Sequence, residues 1–196
     1  EIIKKNKVFN KTKFFSDSKL NYAENILKKR SDKLAINFLS EKGFEENISW
    51  NDLYEKVCKF SSYLKKINLK KGDRVAAYVP NKIESIVCFL ACAKNGIIWS
   101  SCSPDFGVQG VVDRFKQIEP KVFITCDYYY YNGKKINILD KVEEILNQIP
   151  SIKKVIAYNY NKKEQDDLKD FINFEETLKN DLDEKFERFE FNHPIY

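Results

Sequence analysis

The sequence predicts an α/β fold built on a mostly parallel sheet with flanking helices. Two observations carry this. From Arg74 onward, short apolar runs at 74–79, 97–99, 122–125 and 155–158 alternate with segments of helical period, the pattern of parallel strands joined by crossover helices. The first three runs lead into polar or turn-forming residues, in AAYVPN, IIWSSCSPDFG and FITCDYYYYNGK, and ligands of open α/β sheets sit at such strand ends. Right-handed crossovers put all the strand ends on one edge, so Asn81, the 100–107 loop and the 126–134 loop, with Asp127 in it, should converge.

Each element has its own signal. Residues 1–19 are polar and basic without a clear period and read as a connecting segment. A short helix is expected over 20–30, and Leu34, Ile36 and Phe38 then alternate as a strand. Glu41-Lys42-Gly43 supplies a turn, with 44–48 returning as a hairpin partner. Ser49 with Asp52 resembles a capping box, although Asp replaces the usual Glu or Gln. The helix it opens carries Trp50, Leu53, Tyr54, Val57, Phe60, Ser61 and Leu64 on one face and ends near Ile67, before the Lys71-Gly72-Asp73 turn. After the strand at 74–79, Pro80 and Asn81 begin a helix to about Asn95, stopped by Gly96. Helix 108–118 turns Val111, Val112, Phe115 and Ile118 inward, and helix 139–149 precedes the last strand. Residues 159–190, rich in Asn, Lys, Asp and Glu with a weak period at Phe171, Phe174 and Leu178, read as an exposed, partly helical excursion. A new strand is expected within 189–196, so one incomplete domain results: a leading part (1–70), repeated strand–helix units (71–158) and the charged excursion (159–196).

Composition narrows the function classes. A chain of 196 residues with 43% hydrophobic content buries an ordinary core. The net charge of +5 comes from lysines scattered among acidic residues, with no block of five like charges, so no nucleic-acid partner is expected. The longest apolar stretch, 83–93, contains Glu84 and Ser85 and is too short to span a bilayer; no membrane partner is expected. Cys58, Cys88, Cys92, Cys102 and Cys126 form no CxxC pair and His193 is the only histidine, so no metal site is expected. Four of these cysteines lie in apolar runs and read as buried, and unpaired thiols point to a reducing cytoplasm. The chain has no methionine, which leads us to expect a piece cut at both ends. No GxGxxG or GxxxxGK[ST] can be drawn through the six glycines, and a histidine triad is excluded, so no catalytic residue is assigned.

Two loops remain as candidate binding elements. Ser103 and Asp105, around Pro104, would cap the following helix, or the hydroxyl-rich loop would receive an anion at that helix N-terminus; both can hold at once. Residues 127–135 offer tyrosine faces and two lysines beside Asn132-Gly133, suited to stacking a base and contacting phosphate, or else forming an ordinary Asn-Gly turn with solvated lysines.

The segments LNYAENIL (20–27), ISWNDL (48–53), GDRVAAYVPN (72–81), IIWSSCSPDFG (97–107), VVDRFKQIEPK (111–121) and YYNGK (130–134) resemble the adenylate-forming acyl-CoA synthetase superfamily, in matching order over about residues 14–158. SSCSPDFG and YNGK narrow the resemblance to its acetoacetate-activating members. The resemblance implies part of a large N-terminal domain of stacked α/β sheets, followed in the family by a small mobile domain. It implies an ATP-dependent, AMP-forming ligase that makes an acyl-adenylate and pyrophosphate, then lets the thiol of coenzyme A displace AMP, with Mg²⁺ accompanying ATP. The family's phosphate loop, adenine-contacting segments and catalytic lysine lie beyond a strand starting near Ile195, so this piece alone should be inactive. By the same resemblance, Tyr131-Asn132-Gly133-Lys134 corresponds to a loop that meets the nucleotide end of coenzyme A, with Lys134 on phosphate and Tyr131 against the adenine. Tyr131 stands where related acetyl-CoA synthetases carry arginine, and Ser103-Pro104-Asp105 stands where they carry a glycine-containing coenzyme A segment. A ligase for another short acid, such as acetate or propionate, and a non-catalytic α/β binding module are the rival readings. The oligomeric state is not addressed by the sequence.

Overall fold

The computed structural model describes residues 2–164, 167–168 and 170–196. Its leading part contains three short strands, β1 (Ile3–Lys4), β2 (Lys13–Phe14) and β3 (Lys19–Leu20), of which β1 and β2 pair with each other. Helix α1 (Tyr22–Ile26) is shorter than the expected 20–30. The reason is long-range: Leu20 is taken into an antiparallel pair with Phe189, and Asn21 becomes the N-cap. The Asn21 amide also donates to Lys94 O at 2.9 Å and Glu187 O at 2.8 Å, so one buried side chain ties the start of α1 to two distant segments.

Strands β4 (Leu34–Leu39) and β5 (Glu45–Ser49) form the expected antiparallel hairpin. Helix α2 (Trp50–Lys66) starts on Ser49, whose Oγ accepts from Asp52 N at 3.1 Å. Only half a capping box forms, because the shorter Asp52 side chain accepts from the Ser49 hydroxyl (2.6 Å) rather than reaching back to its amide. The face of α2 read from the sequence period is the buried one.

The central sheet is parallel throughout. It holds β6 (Arg74–Tyr78), β7 (Ile98–Cys102), β8 (Val122–Cys126), β11 (Lys154–Tyr158) and β12 (Ile172–Asn173), in the order β12-β11-β8-β6-β7. Helices α3 (Ile83–Lys94) and α4 (Val108–Lys116) cross over in opposite directions, from β6 out to β7 and from β7 back past β6 to β8. Right-handed connections in opposite directions lie on opposite faces, and α3 accordingly packs with α1 and α2, while α4 packs with α5 (Leu139–Gln148). Covered on both sides, all five residues of β8 are buried, which is why it reads as a continuous apolar run. All five cysteines are buried and free. No helix among the described residues is long and apolar enough to cross a membrane.

Two expectations about the sheet and its last segment also change. The strand expected at 97–99 extends to Cys102, because Ser100, Ser101 and Cys102 keep parallel register with Ala76, Ala77 and Tyr78. The 159–190 segment, apart from Gln165, Asp166 and Lys169, which lie outside the described residues, is not simply an exposed excursion. It adds β12 to the sheet edge and then the short helix α6 (Phe174–Thr177), whose Phe174 is fully buried with its ring centroid 5.3 Å from that of Phe60. The following residues return across α2 and α3. There the buried Lys94 Nζ donates to Lys185 O (2.7 Å) and lies 3.4 Å from Asp183. Burial lowers the Lys94 pKa, and the Asp183 charge opposes that shift.

Near its end the chain forms β13 (Phe189–Glu190) against β3, then runs beside β7, where Trp99 N donates to Ile195 O at 3.0 Å. The strand expected within 189–196 is thus limited to the two residues of β13, and residues 193–196 form no strand beside β7.

Candidate functional site: a cleft at the carboxyl ends of the strands

Three strand ends open into one cleft of about 450 Å³. Val79, Pro80 and Asn81 follow β6, Ser103, Pro104 and Asp105 follow β7, and Tyr129, Tyr130 and Tyr131 belong to the excursion that follows β8. Convergence on a common rim, expected from the alternation of strands and helices, is therefore observed. Phe89, Trp99 and Ile86 line its apolar side, and Tyr196 reaches it with its hydroxyl 3.1 Å from Ser101 Oγ.

The excursion after β8 is a hairpin, not a loop: β9 (Tyr128–Tyr131) pairs with β10 (Lys134–Asn137). Asn132 (φ 48°) and Gly133 (φ 72°) form a two-residue turn with both residues left-handed, the type that matches the twist of a tight hairpin. Period-two alternation splits the four tyrosines between two roles. Tyr128 and Tyr130 pack against Tyr160, tilted and edge-on respectively, with centroids 5.3 and 5.7 Å away. Tyr129, on the opposite face, reaches Asp105, and Tyr131 shares that face. At the hairpin base, the wholly buried Asp127 accepts from Tyr128 N (2.7 Å), Tyr160 N (2.8 Å) and Asn159 Nδ2 (2.9 Å). This carboxylate is a structural anchor.

The wall formed by residues 103–107 is held from below. Tyr78, fully buried at the end of β6, points its hydroxyl at Pro104 O and Phe106 O, each 2.7 Å away. Burial, then the neighbouring Tyr129 and Asp105, push its pKa up, so Tyr78 stays a neutral donor. From the hairpin, the Tyr129 hydroxyl donates to Asp105 Oδ1 at 2.9 Å; its pKa is pushed up to about 12 by burial and by that bond. Asp105 also accepts from Ser103 Oγ at 2.7 Å. Neither Ser103 nor Asp105 caps α4. Gly107 holds the N-cap position, because two residues of turn separate Asp105 from the helix.

The seven sequence-assigned binding residues thus divide. Ser103, Pro104, Asp105 and Tyr131 line the cleft. Lys134 is the exposed register partner of Tyr131, on the same face of the hairpin, and is not among the residues that line the cleft. Asn132 and Gly133 sit at the hairpin tip, where their amides face the Glu41 carboxylate instead of the cleft. Tyr78, Tyr129 and Glu41 escaped the sequence reading. Tyr78 had a signal in its place at a strand end; Tyr129 was hidden in a uniform tyrosine run, and Glu41 touches the site only across 91 residues of chain. Among the described residues no group of three or more His, Cys, Asp or Glu side chains is placed to hold a metal ion.

A parallel α/β sheet with a polar and aromatic cleft at its strand ends defines a ligand-binding domain. Residues 23–188 match the model of the AMP-binding enzyme family, and the chain belongs to that family. The acetoacetyl-CoA synthetase of Xenopus tropicalis is 39% identical over 196 residues, 93% of this chain and 29% of that protein. The malonamoyl-CoA synthetase of Penicillium aethiopicum is 36% identical over 161 residues, 79% of this chain and 22% of that protein. The solved structure of acetoacetyl-CoA synthetase from Streptomyces lividans superposes with a TM-score of 0.91 at 30% identity, covering 99% of this chain and 30% of that one. The chain therefore spans less than a third of the curated relatives it matches.

Proposed function

We propose that this chain is the leading part of a cytoplasmic AMP-forming ligase that converts acetoacetate, ATP and coenzyme A to acetoacetyl-CoA, AMP and pyrophosphate. Its own contribution is one side of the coenzyme A site. The observation that carries this is the register pairing of Lys134 with Tyr131, which lines the strand-end cleft, so that an aromatic face and an ammonium sit side by side on the hairpin, suited to a nucleotide. The polarity of the cleft supports a direction for the ligand. Asp105 is an acceptor-only group already engaged by Tyr129 and Ser103 and repels a phosphate, so the phosphate end belongs on the Lys134 side. Adenylation chemistry is assigned to residues outside this chain, and 1–196 alone should make no thioester.

The test uses the complete enzyme. Lys134→Ala should raise the KM for coenzyme A about three- to tenfold, the worth of one exposed ammonium–phosphate contact, with the loss confined to the thiolysis half-reaction. An unchanged KM sinks the assignment, and thioester formation by purified 1–196 sinks the inactivity of the piece.

A second reading, a ligase for another short acid, is favoured by one observation. Where it aligns, over 79% of the chain, the malonamoyl-CoA synthetase is 36% identical against 39% over 93% for the acetoacetyl-CoA synthetase, so the aligned stretch carries little of what separates their acyl groups. Comparing acetoacetate, acetate, propionate and malonamate as substrates of the complete enzyme decides between them.

A further inference from the structure

We propose that Glu41 is a positioning residue for the coenzyme-facing hairpin, latching its tip so that Tyr131 stays at the cleft with Lys134 beside it; this rests on the coenzyme A reading above. A two-residue turn pairs the residues that flank it and leaves the amides of its two central residues without a partner inside the hairpin. Here a single carboxylate takes both: Glu41 Oε2 accepts from Gly133 N at 2.8 Å and Oε1 from Asn132 N at 3.3 Å. Glu41 belongs to the turn between β4 and β5, and that hairpin is itself fixed to the start of α3. The wholly buried ammonium of Lys82, the residue after Asn81, pairs with Glu46 of β5 and with Glu84 at 3.0 Å. It lies 5.3 Å from the Phe38 ring centroid and 5.7 Å from that of Phe44. Phe38 in turn meets Tyr160 (5.8 Å), which meets Tyr130 (5.7 Å).

The β9–β10 hairpin is thus supported twice from β4–β5, through aromatic rings along its length and through the Glu41 carboxylate at its tip. Lys42, next to Glu41, adds a cation 6.0 Å from the Tyr130 ring centroid. Asn132, Gly133 and Lys134 are all exposed, and among their hydrogen bonds outside the β9–β10 pair the two to Glu41 are those that reach another element. A charge-assisted pair at the tip therefore governs how often the tip departs, and with it the position of the Lys134 ammonium.

Peptide-resolved hydrogen exchange and coenzyme A kinetics on the complete enzyme test this together. Glu41→Ala should speed exchange in the 128–137 segment about tenfold, leave β6 and β8 as protected as before, and raise the KM for coenzyme A about three- to tenfold. Glu41→Gln, which keeps one acceptor oxygen for Gly133 N, should recover part of both losses. Unchanged exchange overturns the latch, and so does a lowered KM, which would make the carboxylate a competitor of the phosphate. Faster exchange with an unchanged KM in Glu41→Ala overturns the positioning role. If Lys134→Ala also leaves KM unchanged, the coenzyme A reading falls with it; if Lys134→Ala raises KM, that reading survives and only the Glu41 role is lost.

Discussion

The two walls of the cleft are built by different physics. The 103–107 wall hangs on a buried tyrosine: the Tyr78 hydroxyl lies under two backbone carbonyls at the end of a central strand, and Pro104 itself is buried. The hairpin wall is buried at its base, at Tyr128 and Tyr129, but its tip stands in solvent, with its glycine left-handed and its amides taken by the side chain of another hairpin. A buried hydrogen bond is costly to lose because the abandoned groups cannot turn to water, whereas an exposed one is readily replaced. The first wall is therefore the fixed reference surface, and the second is the adjustable one. The Tyr129–Asp105 bond joins them.

The largest effect that could break this contrast is expected at high pH. Tyr129, Tyr54 and Tyr160 are each pushed up to about 12, in every case by burial first, from an unfolded value near 10. A phenol whose pKa is raised by folding adds stability that is complete below pH 10 and disappears as pH climbs through 12. For one such group the difference is about 2.7 kcal/mol at most, taken as 1.36 kcal/mol per pH unit over about two units. Urea midpoints should thus fall between pH 10 and 12, and Tyr129→Phe should flatten that fall by its share. A variant with the full wild-type slope would show that the phenol bridging the walls is not held neutral by the fold.

Next in size is Tyr78→Phe. It keeps the ring but strips both Pro104 O and Phe106 O of their buried donor, at a cost of about 1–3 kcal/mol in unfolding free energy. Exchange should quicken in the segment after β7 while the 128–137 hairpin stays as it was. Equal loosening of both walls would mean that they move as one body.

How much of this was legible beforehand follows the same division. The sheet was readable because strands buried on both faces must be apolar throughout, and Val122 to Ile124 admit no other use. The end of β7 was not, since Ser100 and Ser101 carry no apolar signal and are held extended by register with Ala76 and Ala77. The convergence of Asn81, Ser103 and Tyr131 followed from topology alone. Which tyrosine of 128–131 faces the cleft could not be read, because alternation is invisible in a run of identical residues. The Glu41 latch and the return of residues 183–187 over Lys94 depend on contacts spanning about 90 residues, for which a local pattern holds no trace.

The smallest predicted effects are the sharpest, because one chemical change is expected to act with opposite sign on the two sides. Gly110 lies inside α4 with ordinary helical backbone, and an added Cβ would meet only Phe106 Cδ1, at 3.7 Å. Gly110→Ala therefore removes unfolded-chain freedom without a clash and should stabilise by about 0.5–1 kcal/mol. Gly133 has similar room, its nearest neighbour being Lys42 Nζ at 4.0 Å, but its φ is +72°. Alanine there must either accept a left-handed backbone, costing about 1–2 kcal/mol, or reshape the turn. Melting the two variants beside the parent protein should move the midpoint up for Gly110→Ala and down for Gly133→Ala. The Gly133→Ala loss should shrink when Glu41 is already alanine, since a tip no longer latched relaxes its turn at less cost. A loss of the same size in both backgrounds would place the rigidity of the tip in the turn alone and leave the carboxylate no part in it.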